Sequence, residues 1–418
     1  MRITILTLGS RGDVQPYLSF AKYAVSKGHE VVICTGKTFK TFIEDNGVRF
    51  AEAESDLMAM LETPEGQIVF NHALRHPIVT KRFVSEVVNP AFRKTLDQFW
   101  EASQDADVIV YHPKAFGAPD IALKLGIPCI SMPPVPITYP IEEFPNLAIS
   151  STGNFGKILN KLTYQLLSKS ESASIKEVNA FRQETLGLDK RKSGQYHFKV
   201  NGQSIPVIYP ISQYLFEDVT SWNGKVKLPG FLFLDNDEKN LDPVIEAFIN
   251  IGDAPIVISF SSMPLKDPEA FKSKLESALI NTNNRAIVLV GISGMIFEDS
   301  DRILAIKGAP HTLLFPRAKG IIHHGGVGTV AAALKSGKPQ LIIPFGVDQP
   351  FWANRLYLQE IALKPIREKE LTQELLIERF KSMEDKNVID KAWAFKAKID
   401  SEDGNKNTLD YIESSVLK

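Results

Sequence analysis

The 418 residues carry 48 Lys and Arg against 49 Asp and Glu, a formal net charge of −1, which argues against a nucleic-acid binder, since such proteins show a basic excess. At 44% hydrophobic and 23% charged the chain lies in the globular range, long enough for roughly two or three domains. The apolar run over residues 1–9 is too short for a signal peptide, no apolar stretch approaches the ~20 residues of a membrane span, and two cysteines, Cys34 and Cys129, fit a reducing cytoplasm better than a disulfide framework.

In chain order, short β-branched runs alternate with helical patterns. Ile3–Leu8, Glu30–Thr35, Asp107–Tyr111 and Pro128–Met132 read as strands of a parallel sheet, apolar on both faces. Helices over Val14–Lys27 and Phe116–Leu125 lie between them, closed by Gly28 and Gly126. Two excursions interrupt this grammar. Asp56–Gln104 mixes Met58, Met60, Leu61, Phe70, Phe83, Phe92, Phe99 and Trp100 with charges, and Tyr139–Gly187 holds Phe144 and Phe155 before a helix around Lys157–Leu167. Core-facing stripes explain most of these residues; an apolar acceptor pocket or a membrane-touching lid is the other reading. Trp222–Asp237, with Gly224, Pro229 and Gly230, reads as a connection between domains. The alternation then restarts with strands over Pro255–Phe260, Arg285–Val290, Arg302–Ile306, Gly320–His323 and Pro339–Ile343. The expected fold is therefore α/β, two similar doubly wound domains with a ligand cleft between them.

The chemistry-bearing residues cluster where strands end. Gly9-Ser10-Arg11-Gly12-Asp13 follows the first strand, and Asp13 there reads either as a helix cap or as a free carboxylate able to take a proton from a bound hydroxyl. His112 ends the Asp107–Tyr111 strand and is expected in the same region, read either as a catalytic residue beside Asp13 or as a structural strand-end histidine. Ser259-Phe260-Ser261-Ser262-Met263 could cradle a phosphate or simply turn the chain. Asp105 with Asp107, and Asp299 with Asp301, read as solvated pairs, and no His or Cys cluster suggests a metal. His323-His324-Gly325-Gly326-Val327-Gly328-Thr329 is a strand, a glycine turn and a helix start. Its amides and helix dipole suit an anion, and it also fits the dinucleotide pattern G-x-G-x-x-A. Asp348-Gln349-Pro350 opens a helix, where a carboxylate beside a carboxamide suits neighbouring sugar hydroxyls. Phe351 and Trp352 are expected in the core.

These motifs, with His112-Pro113-Lys114-Ala115-Phe116-Gly117-Ala118-Pro119, resemble family 1 glycosyltransferases of the GT-B fold. The likeness is nearest to sterol 3-β-glucosyltransferases and to bacterial macrolide and glycopeptide glycosyltransferases. The resemblance implies an acceptor-binding Rossmann-like domain over 1–221, a linker over 222–237, a nucleotide-sugar domain over 238–390, and C-terminal helices over 391–418 returning to the first domain. It implies Asp13 as catalytic base, His323 as donor-phosphate contact, Asp348 and Gln349 as the sugar-gripping pair, and Ser262 beside Ser261 in a phosphate loop. Gly325, Gly326, Val327, Gly328 and Thr329 are expected to line the diphosphate, and His311 belongs to a stretch that resembles the nucleoside site. In that stretch Thr312 and Leu313 replace an Asp-Trp pair, and Gly308 stands where plant relatives carry a Trp, so UDP and dTDP both stay open. Plant relatives carry a histidine at position 13 and an aspartate at position 112, so the two residue types are exchanged here.

The expected activity is inverting, metal-independent transfer of a hexose from UDP-glucose or a dTDP-sugar, as co-substrate rather than resident cofactor, to an apolar small-molecule acceptor. A nicotinamide-dependent oxidoreductase and a non-catalytic partner protein of the same fold are the alternatives. A cytoplasmic location is expected; peripheral membrane contact and oligomeric state stay open.

Overall fold

In the computed structural model, which describes residues 1–54, 60, 63–66, 69, 77–234, 240–260, 263–291, 293–298 and 300–416, the first strands lie close to where the apolar runs put them. They are β1 (Arg2–Leu6), β2 (Glu30–Gly36), β3 (Arg49–Ala53), β4 (Val108–Tyr111) and β5 (Cys129–Ser131). A small antiparallel hairpin, β6 (Lys199–Val200) and β7 (Gln203–Ser204), stands apart; β8 (Val207–Ile208) and β9 (Val226–Lys227) join the sheet edge. The order β3-β2-β1-β4-β5-β8-β9 is parallel throughout, with β1 between β2 and β4 and Ile5 in register with Ile33 and Val110.

Alternation sets the two faces. Ile3, Ile5, Val108 and Val110 pack with Val14, Tyr17 and Leu18 of α1 (Arg11–Ser26). Leu6, Ile109 and Tyr111 face the other way, onto Phe92, Leu96 and Phe99 and onto Ile121 of α2 (Ala118–Leu125). The aromatic stripe at 92–99 is therefore core; Met58, Leu61 and Phe70 lie outside the described residues. Cys34 and Cys129 are free and buried. Further along, α3 (Lys157–Leu167) occupies the expected range.

The second set is β10 (Ile256–Ser259), β11 (Ala286–Leu289), β12 (Ile303–Ile306), β13 (Gly320–His323) and β14 (Gln340–Ile342), parallel in the order β12-β11-β10-β13-β14. Ile256, Ile258 and Ile322 face one core, Val257 and Ile321 the other. Helix α4 (Val327–Ser336) follows β13, α5 (Gln349–Leu358) follows β14, and α6 (Lys386–Asp400) and α7 (Gly404–Val416) close the chain.

The chain divides into two compact units, Met1–Asn146 with Asn154–Leu234 and Asp403–Lys418, and Leu147–Gly153 with Asp235–Glu402. Two expected boundaries shift. Residues 222–234, read as linker, belong to the first unit: Trp222 packs on Tyr209 and Phe216, and β9 extends the sheet. Of the terminal helices only α7 joins the first unit, on α1, while α6 packs on α4 in the second. Among the described residues no helix is long and apolar enough to cross a membrane.

Candidate functional site

Ser10 is the N-cap of α1 and Asp13 its third helical residue, so Asp13 is not the cap itself. Its carboxylate reaches back to the cap: the Ser10 N–H donates to Asp13 Oδ2 at 2.8 Å and the Ser10 hydroxyl at 3.1 Å. Lys114 Nζ lies 3.1 Å from the same oxygen, and His112 Nε2 lies 3.1 Å from Oδ1. The free carboxylate expected from the sequence is thus corrected: the group is engaged on both oxygens, although its side chain stays 18% exposed. Gly9 makes this packing possible. A Cβ there would stand 2.2 Å from Asp13 Oδ2 and 2.9 Å from Lys114 Nζ, and its φ of +138° disfavours any side chain. Thr7 Oγ1 donates to the Asp13 carbonyl at 2.7 Å, fixing the backbone that carries the group.

His112 is buried, and its Nδ1 accepts the Lys114 N–H at 3.0 Å. A ring nitrogen that accepts carries no proton, so the neutral ring bears its proton on Nε2 and donates it to Asp13. Burial lowers the His112 pKa against the opposing pull of Asp13. Burial alone would raise the Asp13 pKa; the His112 hydrogen bond, then Lys114 and the Ser10 N–H, outweigh it and hold the carboxyl far below its ordinary range.

The second turn is built differently. His323 ends β13 with no exposed surface, its Nε2 2.9 Å from Gln340 Oε1 and its Nδ1 accepting the Gly325 N–H at 3.2 Å. Burial pushes its pKa down to about 3. Both nitrogens are spent inside the fold, so the expectation that His323 touches a donor phosphate is corrected: the residue braces the turn. The open nitrogen belongs to its neighbour. His324 is buried, its Nδ1 has no hydrogen-bond partner, and burial, opposed by a bond to the Ser259 backbone, drops its pKa to about 4. The sequence shows two adjacent histidines and carries no signal that separates them, since the strand ends at His323 and both rings are buried.

After His324 the chain turns through Gly325 and Gly326, the latter the N-cap of α4. A Cβ on Gly326 would stand 2.4 Å from His324 Nε2, so only glycine leaves that ring in place. Val327 and Gly328 begin the helix partly or fully exposed, while Thr329 is buried. The first N–H groups of a helix have no intrahelical partner.

His311 opens a short helix, its Nε2 3.1 Å from Ser259 Oγ and its ring stacked on Phe315 at 4.3 Å. That bond ties the end of β10 to the stretch expected to hold the nucleoside. Ser261 and Ser262 lie outside the described residues. Asp348 stands at the N-cap position of α5, yet its carboxylate accepts the Trp352 indole N–H at 2.8 Å instead of capping the helix. Gln349 Oε1 accepts the Phe345 N–H at 2.8 Å and the Gly346 N–H at 3.3 Å. Phe351 and Trp352 are core. Val347, between Gly346 and Asp348, is 83% exposed at φ 56°, an unfavourable backbone for a β-branched residue and a mark of imposed local geometry. Of the acidic pairs, Asp107 is bound by the Arg2 N–H at 2.7 Å and by its guanidinium at 3.1 Å; Asp299 lies outside the described residues. Among the described residues no group of three or more His, Cys, Asp or Glu could hold a metal ion.

The comparisons agree with this architecture. Residues 3–130 match the glycosyltransferase family 28 N-terminal domain, and residues 300–400 match the erythromycin biosynthesis protein CIII-like C-terminal domain. A sterol 3-beta-glucosyltransferase of Arabidopsis thaliana is 31% identical over 417 residues, covering 97% of this chain and 64% of the relative. One from Pichia angusta is 29% identical over 437 residues, covering 99% of this chain and 33% of the relative. The chain thus spans less than two thirds of the length of these curated relatives. Among solved structures, the glycotransferase of kitacinnamycin superposes with a TM-score of 0.72 at 16% identity, covering 99% of this chain and 98% of that one. The calicheamicin glycosyltransferase CalG4 gives 0.70 at 15%, covering 100% and 98%. VinC in complex with dTDP gives 0.65 at 16%, covering 100% of both chains.

Proposed function

From a GT-B chain that carries a family 28 N-terminal domain and resembles sterol 3-β-glucosyltransferases along its length, we propose a glycosyltransferase that moves a hexose from a nucleotide-diphosphate sugar to a hydroxyl of an apolar acceptor, inverting the anomeric carbon. One observation carries the reading: a carboxylate held ionised and partly exposed in the first turn of the helix that follows β1. Asp13 Oδ2 accepts from Ser10 and Lys114, whereas Oδ1 accepts from His112 and keeps a lone pair in hand. The acceptor hydroxyl binds at Oδ1. Its oxygen attacks the anomeric carbon, its proton passes to Asp13, and the carbon–oxygen bond to the diphosphate breaks with the electron pair leaving on the nucleoside diphosphate. An α-linked donor then gives a β-glycoside.

Asp13 is a weak base in this setting, so it takes the proton only as the new bond forms. His112 donates through Nε2 and accepts through Nδ1, which leaves no nitrogen to receive that proton; it is a positioning residue. In the second unit the leaving diphosphate meets the amides of Gly326, Val327 and Gly328, which compensate growing negative charge without reorganising, and the His324 ring, which takes up a proton to join them. Asp348 and Gln349 face the hexose from a loop braced by Gln349 Oε1. UDP and dTDP sugars both fit this reading, and a sterol, polyketide, flavonoid or lipid would serve as acceptor.

The test is mass spectrometry of a mixed-acceptor reaction supplied in parallel with UDP-glucose and dTDP-glucose, run with the wild type and with Asp13→Asn. A hexose added to an apolar acceptor by the wild type alone supports the assignment. Equal product from both proteins removes Asp13 from the chemistry.

A further inference from the structure

Over its described side chains, residues 157–165, helix α3 turns polar groups inward and aliphatic ones outward. Its inward face carries Asn160, Thr163 and Tyr164, all buried. Each is bonded there: Asn160 Nδ2 donates to the Glu142 carbonyl at 2.8 Å, Thr163 Oγ1 accepts the Asn146 N–H at 2.7 Å, and the Tyr164 hydroxyl donates to the Phe144 carbonyl at 3.3 Å. These bonds fix the rotation of the helix. The outward face carries Ile158 at 77% exposure, Leu159 at 56% and Leu162 at 45%, and Phe155, in the chain just before the helix, is 46% exposed. Within the helix, positions 158, 159 and 162 fall at the i, i+1, i+4 spacing of a single face. Scattered exposed aliphatics need no explanation, but a continuous stripe held outward by a polar inner face does.

We infer that this stripe docks the protein on an anionic lipid surface. Charge selects that occupant. Lys157 and Lys161 flank the stripe and are exposed, and from Phe144 to Ser170 the sequence holds three lysines and no acidic residue. Lys161 has one acidic neighbour, Glu142 Oε1 at 3.5 Å, on the exposed surface. Aliphatic residues rimmed by lysines in an acid-free stretch match the interfacial region of a bilayer, where the side chains enter the acyl boundary and the ammonium groups meet phosphate. The inference stands apart from the transfer chemistry, because it concerns residues remote in sequence from Asp13 and His324 and is read by binding rather than turnover.

The experiment is co-sedimentation of the full chain with phosphatidylcholine vesicles and with vesicles containing phosphatidylserine, at low and high salt. The wild type should pellet with the anionic vesicles, less so as salt rises. The double variant Ile158→Asp with Leu162→Asp should lose at least tenfold in bound fraction while keeping the wild-type circular dichroism, since both side chains point outward. Lys157→Glu with Lys161→Glu should lose binding to the anionic vesicles. Should the aspartate variant prove poorly folded, Ile158→Ser with Leu162→Ser replaces it. Wild-type protein left in the supernatant with both vesicle types, or pelleting unchanged in either outward variant, overturns the inference. So does a concentration-dependent rise in mass by light scattering that these variants abolish in the absence of vesicle binding, which would make the stripe a contact between copies.

Discussion

At the turn after β1 a carboxylate stays charged because four donor groups from Ser10, His112 and Lys114 surround it, whereas at the turn after β13 two imidazoles stay neutral because burial denies them a proton. Both turns join a parallel strand to a helix, and in both a glycine lets side chain and backbone approach more closely than a Cβ would allow. The difference lies in the sign of what each must meet. A fixed anion braced by donors suits a hydroxyl that is losing its proton. A neutral turn of amides suits an incoming diphosphate, which a fixed negative charge would repel. Similar backbone grammar thus carries different side-chain electrostatics in the two units.

The largest expected effect breaks the first side of that comparison. Asp13→Asn keeps the shape and removes the charge, and transfer should fall roughly 10²–10⁴-fold, the size of a general-base contribution, with nucleoside-diphosphate affinity by calorimetry unchanged. The next tests the second side. His324→Ala should weaken nucleoside-diphosphate binding by ~10–100-fold, the loss of one hydrogen bond to a charged group. Because Nε2 is the ring nitrogen left for the Ser259 backbone, the unpartnered Nδ1 carries no proton in the neutral ring. Gripping an anion there requires one. Calorimetry in buffers of differing ionisation enthalpy should therefore show proton uptake on binding, and no uptake would remove His324 from the anion's contacts. His323→Ala should act differently, lowering thermal stability because it leaves Gln340 and the Gly325 amide unpaired inside the core.

The sequence made the two-sheet frame readable because parallel strands buried on both faces leave uninterrupted apolar runs, as in Ile256–Ser259 and Gly320–His323. It hid β8 and β9, which are two residues each and leave no periodicity to detect. It pointed to Asp13 through the glycine turn and to His112 through its place at a strand end, but not to their bond, which joins residues 99 positions apart. Nor did it reveal Lys114 as their neighbour, since a surface lysine after a proline carries no pattern. The choice between His323 and His324 failed for a physical reason: both are equally good anion ligands as residue types, and only the direction of the Gln340 side chain consumes one of them.

A smaller effect separates the turns by pH. His323 and His324 hold folded pKa values of about 3 and about 4, below the ordinary histidine value. An unfolded chain therefore takes up protons below pH ~6.5 that the native state refuses. Their contribution to stability is complete above that pH and declines as pH falls toward the folded values, by about 1.4 kcal/mol per pH unit for each ring. Asp13 acts lower on the scale: its depressed folded pKa gives stability that is complete above the unfolded value of ~3.9 and is lost only in stronger acid. Melting temperature should fall steadily between pH 6.5 and about 4.5, and His324→Gln should flatten that slope. An unaltered slope in the variant would place the titration elsewhere.

The smallest effect is at Lys114. Its ammonium lies against Asp13 Oδ2 with 47% of its side chain exposed, so solvent screens it and its worth is modest. It acts on Asp13 after the burial and His112 contributions and favours the ionised form. Lys114→Met should therefore raise the basicity of the carboxylate and shift the acid limb of the pH–rate profile upward by less than about one unit, leaving neutral-pH turnover within roughly threefold. The two carboxylate oxygens make this informative. Lys114 binds Oδ2 whereas the acceptor is proposed to bind Oδ1, so the lysine tunes the base without standing in the path of the substrate. A collapse of transfer as deep as that of Asp13→Asn, with the acid limb unmoved, would mean that Lys114 touches the reacting atoms, and the division between a charged first turn and a neutral second one would have to be redrawn around the lysine.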